Sequence, residues 1–246
     1  MKNDNRIFGL HPVLEAIEAG KTIDKLIVQK GLQGEVATQL IKKARNLGIQ
    51  IQYVPVQKLN RLTGKNHQGV FAFLSPIDFH RIDDVLPTIY EKGETPFFLI
   101  LDRLSDVRNF GAIARTAECC GVHAIIVPER GAAAMNEDAV KTSAGALFKI
   151  PVCREKSLKE VINFLQLSGV SVVCATEKTE NTIYETDLVK PLAIVMGNEG
   201  DGVSDEIIKK ADVLAKLPLK GEIGSLNVSV ACGAFLYEAI RQRDFS

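Results

Sequence analysis

Five consecutive apolar residues, Phe97-Phe98-Leu99-Ile100-Leu101, stand in mid-chain with no polar residue among them. A strand with one wet face alternates apolar and polar side chains, so an unbroken run marks a strand covered on both faces. Similar runs follow at Ala124–Val127, Val170–Cys174 and Leu192–Met196, and another strand spans 213–217. The stretches between them have helical spacing. Strands and helices in alternation predict an α/β fold, a mainly parallel sheet between helix layers. Ligands of such sheets bind where loops leave the carboxyl ends of strands.

The chain before this point has a different texture. Val13–Ile17 has helical spacing, Lys25–Gln29 reads as a strand, and Glu35–Leu47 as an amphipathic helix stopped by Gly48. Ile49–Tyr53 alternates with period two, and Val70–Leu74 is a strand ended by Ser75-Pro76. Residues 1–75 therefore predict a small α/β sandwich domain. Residues 76–95 hold Pro76, Pro87 and Gly93 around a helical stretch near Val85–Tyr90 and read as a connector to a second domain, residues 96–246.

Charge divides the chain the same way. Residues 1–75 hold eleven Lys/Arg and five Asp/Glu, a net of +6, whereas residues 76–246 hold nineteen and twenty-five, a net of −6. A basic unit suits a polyanion, although Lys42, Lys43 and Arg45 also fit a merely solvated helix face. With 46% hydrophobic and 24% charged residues over 246 positions, the composition is that of a globular protein. Met1–Arg6 lacks an apolar leader, and no run is long enough to span a bilayer. The expectation is a cytoplasmic protein with no membrane contact. Cys119, Cys120, Cys153, Cys174 and Cys232 show no metal-ligand spacing and read as reduced core residues, with no metal site.

Three polar segments carry the functional signal. They are Asn109-Phe110-Gly111-Ala112-Ile113-Ala114-Arg115-Thr116, Gly197-Asn198-Glu199-Gly200-Asp201-Gly202 and Ser225-Leu226-Asn227-Val228-Ser229-Val230-Ala231. Each lies where a strand-like run gives way to a helical pattern, at the expected ligand edge. Asn109 suits a helix cap, and Gly111 allows close backbone approach. Arg115, four residues beyond Gly111, would project near the helix start, where a guanidinium can clamp a phosphate or carboxylate. The second segment lacks both the dinucleotide-binding fingerprint and the Gly-Lys-Ser/Thr of a P-loop, which argues against a nicotinamide dehydrogenase. Asn198 and Gly200 also suit a plain turn, with Ser204 capping the helix beyond it. Ser225 suits a helix cap, whereas Asn227 has no evident capping duty.

In order and wording the three segments resemble the signature motifs of the SpoU/TrmH-type RNA ribose 2′-O-methyltransferases of the SPOUT superfamily. Phe8-Gly9-Leu10-His11-Pro12-Val13-Leu14-Glu15-Ala16 and Asn66-His67-Gln68-Gly69-Val70 resemble the substrate-binding domain of the subgroup that modifies a guanosine of large-subunit (23S) ribosomal RNA. General chain-path rules give an unknotted sheet; the resemblance instead implies a deep trefoil knot. It implies S-adenosyl-L-methionine as cofactor, ribosomal RNA as substrate, and a homodimer with sites near the subunit interface. Arg115, Asn109, Glu199, Ser225 and Asn227 would be the catalytic residues by that resemblance. Gly197, Leu217, Leu226, Thr176, Asn198 and Gly200 would bind the cofactor.

Two positions depart from the family pattern. Val107 stands where a proline is usual, and Gly224 where an acidic or amide residue is common. Lys141-Thr142-Ser143-Ala144-Gly145-Ala146 also echoes the family, and its small residues suit tight packing. His67 fits a turn before the strand 70–74. A transfer-RNA ribose methylase and a non-catalytic RNA-binding or ribosome-assembly protein of the same fold remain the alternatives.

Overall fold

Residues 6–245 are described in the computed structural model. Met1–Asn5, on which the expectation of no leader largely rests, and Ser246 lie outside them. The chain divides into two compact units, one of residues 1–78 with 135–137, the other of residues 79–134 and 138–246.

In the first unit, side-chain alternation along two strands builds a core on each side of one sheet. Its strands are β1 (Arg6–Phe8), β2 (Ile23–Gln29), β3 (Gln50–Val54) and β4 (Val70–Leu74), in the order β1-β4-β2-β3. β2 and β3 are parallel, and β4 runs antiparallel to β1 and β2. Leu26 and Val28 of β2 face helices α1 (Leu10–Glu18) and α2 (Glu35–Asn46), packing with Val13, Leu40 and Ala44. The intervening Ile27 faces the other way and packs with Phe71 and with Leu59 of α3 (Val56–Leu62). The sandwich matches the sequence expectation, with β1 and α3 added.

His67 sits in the turn expected for it. Its Nδ1 accepts from the Gly69 amide at 3.0 Å, so Nε2 carries the proton donated to Asn60 Oδ1 at 2.7 Å. Gly69 suits the turn because its φ of 78° lies in the left-handed region, where a side chain is strained.

Among the described residues the second unit holds seven strands, every neighbouring pair parallel, in the order β11-β9-β10-β6-β7-β8-β5. They are β5 (Phe79–His80), β6 (Phe97–Leu101), β7 (Ala124–Pro128), β8 (Val152–Glu155), β9 (Ser171–Ala175), β10 (Leu192–Met196) and β11 (Val213–Ala215). Phe98, Ile100, Ala193, Val195 and Cys174 face α4 (Ile82–Glu91), α7 (Leu158–Leu167) and α8 (Asp205–Ile208). On the other side lie α5 (Val107–Cys119) and α9 (Val228–Asp244), which pack on each other. The Arg243 guanidinium of α9 stands 4.4 Å over the Phe97 ring. The short α6 (Glu137–Thr142) follows β7 in the chain. Each fully buried Ile, Leu or Phe contributes ~1.5–3 kcal/mol, so two covered faces explain the unbroken apolar runs.

The stretch 76–95 carries β5 and α4. β5 joins the sheet beside β8, and Ile82, Leu86 and Ile89 of α4 enter its core. Cys120, Cys153, Cys174 and Cys232 are buried, but Cys119 is exposed at the end of α5, against the expectation of five core thiols. Burial pushes the Cys120 thiol up to about 11 and those of Cys153 and Cys174 up to about 12.

The topology fixes where a ligand can sit. From β6 the chain moves outward through β7 to β8, then returns to the other flank for β9, with β10 between β9 and β6. The order therefore reverses beside β6, opening a crevice at the carboxyl ends of β6, β10 and β9.

Candidate active site

β6 leads directly into Asp102, a buried carboxylate that accepts from the Ser204 amide at 2.7 Å and from Arg103 Nε at 3.3 Å. Through Ser204 it fastens the far end of the 197–202 loop to the central strand. Arg103 is held in the left-handed region (φ 56°), and its Nη2 donates to the Gly202 carbonyl at 3.4 Å. Nothing in local spacing announces these contacts, and neither residue was a sequence candidate. Ser204 does stand at the N-cap of α8, although its side chain makes no capping bond.

α5 then begins at Val107, upstream of Asn109. Its cap is Asp106, whose side chain accepts from the Asn109 amide at 2.8 Å, so Asn109 is not the cap. Val107 occupies the first helical position, where proline is favoured because that amide needs no intrahelical partner. Valine keeps the helix start at the loss of a preset φ. Gly111 meets the sequence expectation: a Cβ there would fall 2.7 Å from Thr142 Cβ and 2.9 Å from the Ala139 carbonyl. Fully buried Ser143 lies beside it, so segment 141–146 packs on α5.

Relieved of capping, the Asn109 side chain joins the other two segments. Its Nδ2 donates to Glu199 Oε1, and its Oδ1 accepts from Asn227 Nδ2 at 3.2 Å. One carboxamide thus ties positions 90 and 118 residues away in sequence. Asn227 has a second task. It caps α9, accepting from the Ser229 amide at 2.9 Å, the duty that sequence reasoning gave to Ser225.

The loop after β10 is tightly closed. Asn198 Oδ1 accepts from the Gly200 and Asp201 amides at 2.9 and 2.7 Å, and the Asn198 amide donates to the Gly202 carbonyl at 3.2 Å. The left-handed residue is Gly202 (φ 67°), not Asn198 or Gly200. At Gly197 a Cβ would lie 2.0 Å from the Gly202 carbonyl carbon, so no other residue fits.

Beneath this loop is a cavity of about 330 Å³. Gly197, Asn198, Gly200, Thr176, Leu217 and Leu226 line it, together with Glu199 and Ser225. All six residues expected around a cofactor therefore border one space. Met196, Phe235 and Glu177 line it too and were missed. Thr176 and Glu177 directly follow β9, so the preference of ligands for the carboxyl ends of strands could have found Glu177. Asn109 and Asn227 stand outside the lining, joined to it through Glu199.

Arg115 is not brought to the cavity. Counted from Val107 it lies about 12 Å along α5, not near the helix start. It is exposed and has no hydrogen-bond or ion-pair partner among the described residues. The expectation failed because it measured from Gly111 instead of the true first turn. Among the described residues no His/Cys/Asp/Glu group could hold a metal, and no helix is long and apolar enough to cross a membrane.

Comparison with known proteins places this geometry. Residues 96–237 match the SpoU rRNA Methylase family, and residues 6–80 match the family described as RNA 2′-O ribose methyltransferase substrate binding. The chain is 37% identical over 238 residues to YacO of Bacillus subtilis, a candidate TrmH family tRNA/rRNA methyltransferase, covering 97% of this chain and 96% of that one. Among solved structures it resembles the AdoMet-bound rRNA methyltransferase of Sinorhizobium meliloti, with TM-score 0.62, 27% identity and coverage of 98% and 88%. It also resembles the SpoU methyltransferase AviRb of Streptomyces viridochromogenes, with TM-score 0.61, 25% identity and coverage of 97% and 89%. On its sequence and its fold, the chain belongs to the SpoU/TrmH family of RNA methyltransferases.

Proposed function

We propose that this protein methylates a ribose 2′-hydroxyl of RNA, on a guanosine of large-subunit ribosomal RNA, with S-adenosyl-L-methionine as donor. The observation that carries this reading is the Asn109 carboxamide, which joins Glu199 and Asn227 beside the cavity. It gathers three polar segments that packing alone gives no reason to assemble.

The cavity fits the donor. Its volume of about 330 Å³ falls within the ~300–1,000 Å³ of small-molecule sites. Met196, Leu217, Leu226 and Phe235 offer apolar surface for a base, and the backbone at Gly197 is bare of side chain. Thr176, Asn198 and Gly200 border the same space. When bound, S-adenosyl-L-methionine supplies an electrophilic sulfonium methyl.

The protein's own part is alignment and exclusion of water. Glu199 engages Asn109 through one oxygen and keeps the other to accept a hydrogen bond from a ribose hydroxyl. Asn227, held by its capping bond, fixes the start of α9 beside it, and Ser225 borders the cavity. Arg115, exposed on α5 and outside the cavity lining, holds a nucleotide phosphate in this reading and is not the base. Residues 96–246 are the catalytic domain in this reading, knotted as the resemblance implies, and residues 1–75 grip the RNA. We infer a homodimer as well: Val230 and Tyr237, one above the other on α9, are 57% and 58% exposed and leave an apolar stripe for a second copy.

Incubation with methyl-labelled donor and large-subunit ribosomal RNA, followed by ribose-methyl mapping, tests the reading. A single labelled guanosine is expected. Label on transfer RNA alone would redirect the substrate, and no label on any RNA would leave a non-catalytic binder. Arg115→Ala should slow transfer about a hundredfold, ~2.7 kcal/mol, with donor affinity intact. Full activity in that variant would remove Arg115 from the reaction.

A further inference from the structure

Between Glu35 and Asp78 the chain runs for 42 residues without one carboxylate, while carrying Lys42, Lys43, Arg45, Lys58, Arg61 and Lys65. The fold sorts these cations onto two different faces. Lys42, Lys43 and Arg45 lie on α2, which shares one side of the first sheet with α1. That side also carries Glu15, Glu18 and Glu35, and Lys43 is paired with Glu18. Lys58 and Arg61 lie on α3, which covers the opposite side of the sheet. They are three residues apart and so share one flank of the helix.

Lys65 follows in the loop after α3, and that loop is folded back by the bond between His67 and Asn60 of α3. Lys30 joins them at the entry to α3, where its amide donates to the Val54 carbonyl at 2.8 Å. Lys30, Lys58, Arg61 and Lys65 are exposed, and none has a salt bridge or side-chain hydrogen bond among the described residues. Neither α3 nor the loop 63–69 contains an acidic residue.

We propose that α3 and the loop 63–69, with Lys30, form the surface through which the first unit holds the RNA backbone, and that the α1/α2 side does not. This rests on the functional reading above. An unneutralised cluster of cations on one flank matches the regular negative charge of a phosphate backbone, and each phosphate contact adds to the salt dependence of binding. On α2 a carboxylate already occupies the central lysine. The segment Asn66–Gly69 thereby gains a purpose: its hydrogen bonds set the place of Lys65 relative to α3.

The test compares two full-length variants by binding to a protein-free 23S ribosomal RNA transcript at a series of salt concentrations. The triple variant Lys58→Gln/Arg61→Gln/Lys65→Gln should flatten the plot of log K against log salt by about 2 and weaken low-salt binding at least tenfold. The double variant Lys42→Gln/Arg45→Gln should keep the slope of the unsubstituted chain. Unchanged S-adenosyl-L-methionine binding in both shows that the second unit is intact, and unchanged far-ultraviolet dichroism guards against unfolding of the first. An unaltered slope in the triple variant, or equal flattening in both, would overturn the proposal. A lack of salt-dependent binding by the unsubstituted protein would instead overturn the functional reading itself.

Discussion

The two walls of the cavity are built in opposite ways. The wall formed by residues 197–204 is fastened at three places: Asn198 closes the turn, Arg103 holds the Gly202 carbonyl, and Asp102 holds the Ser204 amide. The wall formed by residues 218–226 makes no hydrogen bond or ion pair among the described residues. Leu219, Ile223 and Leu226 of that wall are 43%, 81% and 45% exposed. A fixed wall can define where a reacting group sits. A wall without bonds of its own yields to a ligand and gains order from it.

Substitutions can break this contrast, and the largest effect is expected at Gly197. A methyl group 2.0 Å from the Gly202 carbonyl carbon has no space to enter, since the obstacle is backbone. Gly197→Ala should destabilise by about 3 kcal/mol, the upper range for overpacking, and abolish donor binding. Urea unfolding and calorimetry check both. A variant of ordinary stability would mean that the fixed wall is softer than its contacts imply.

Next comes Asp102→Ala. The buried carboxylate's bond to the Ser204 amide is charge-assisted, and its loss strands that donor, so ~2 kcal/mol of stability should go. If the same substitution left stability unchanged, water would have to replace the carboxylate.

The smallest change in stability belongs to the free wall. Leu226→Ser should stay within about 0.5 kcal/mol of the parent in unfolding, yet weaken donor binding several-fold, because Leu226 lines the cavity while resting on little else. Equal losses in stability and affinity would erase the distinction between the walls.

The sequence exposed the strands of the second unit because burial on both faces leaves apolar runs that little else produces. Two-residue β5 and the short α3 were invisible, being too brief for any period to show. The glycine loop was recognisable, but Asp102 and Arg103, which hold it, act over about a hundred residues of chain. Capping was misplaced at two of the three segments. Asp106 and Asn109, like Ser225 and Asn227, are equally good caps by type, and only the true first turn decides between them. That same misjudged first turn placed Arg115 too near the start of α5. The six cavity residues were placed by motif resemblance, whose order encodes a meeting that local spacing does not contain.

The claim on which all else depends is that the space between the fixed and free walls receives the methyl donor. Calorimetric titration of the full chain with S-adenosyl-L-methionine tests it directly, with Gly197→Ala as the companion. Saturable binding of one donor per chain, lost in the variant, is the expected result. Absence of binding by the unsubstituted protein, or equal binding by both, would contradict it.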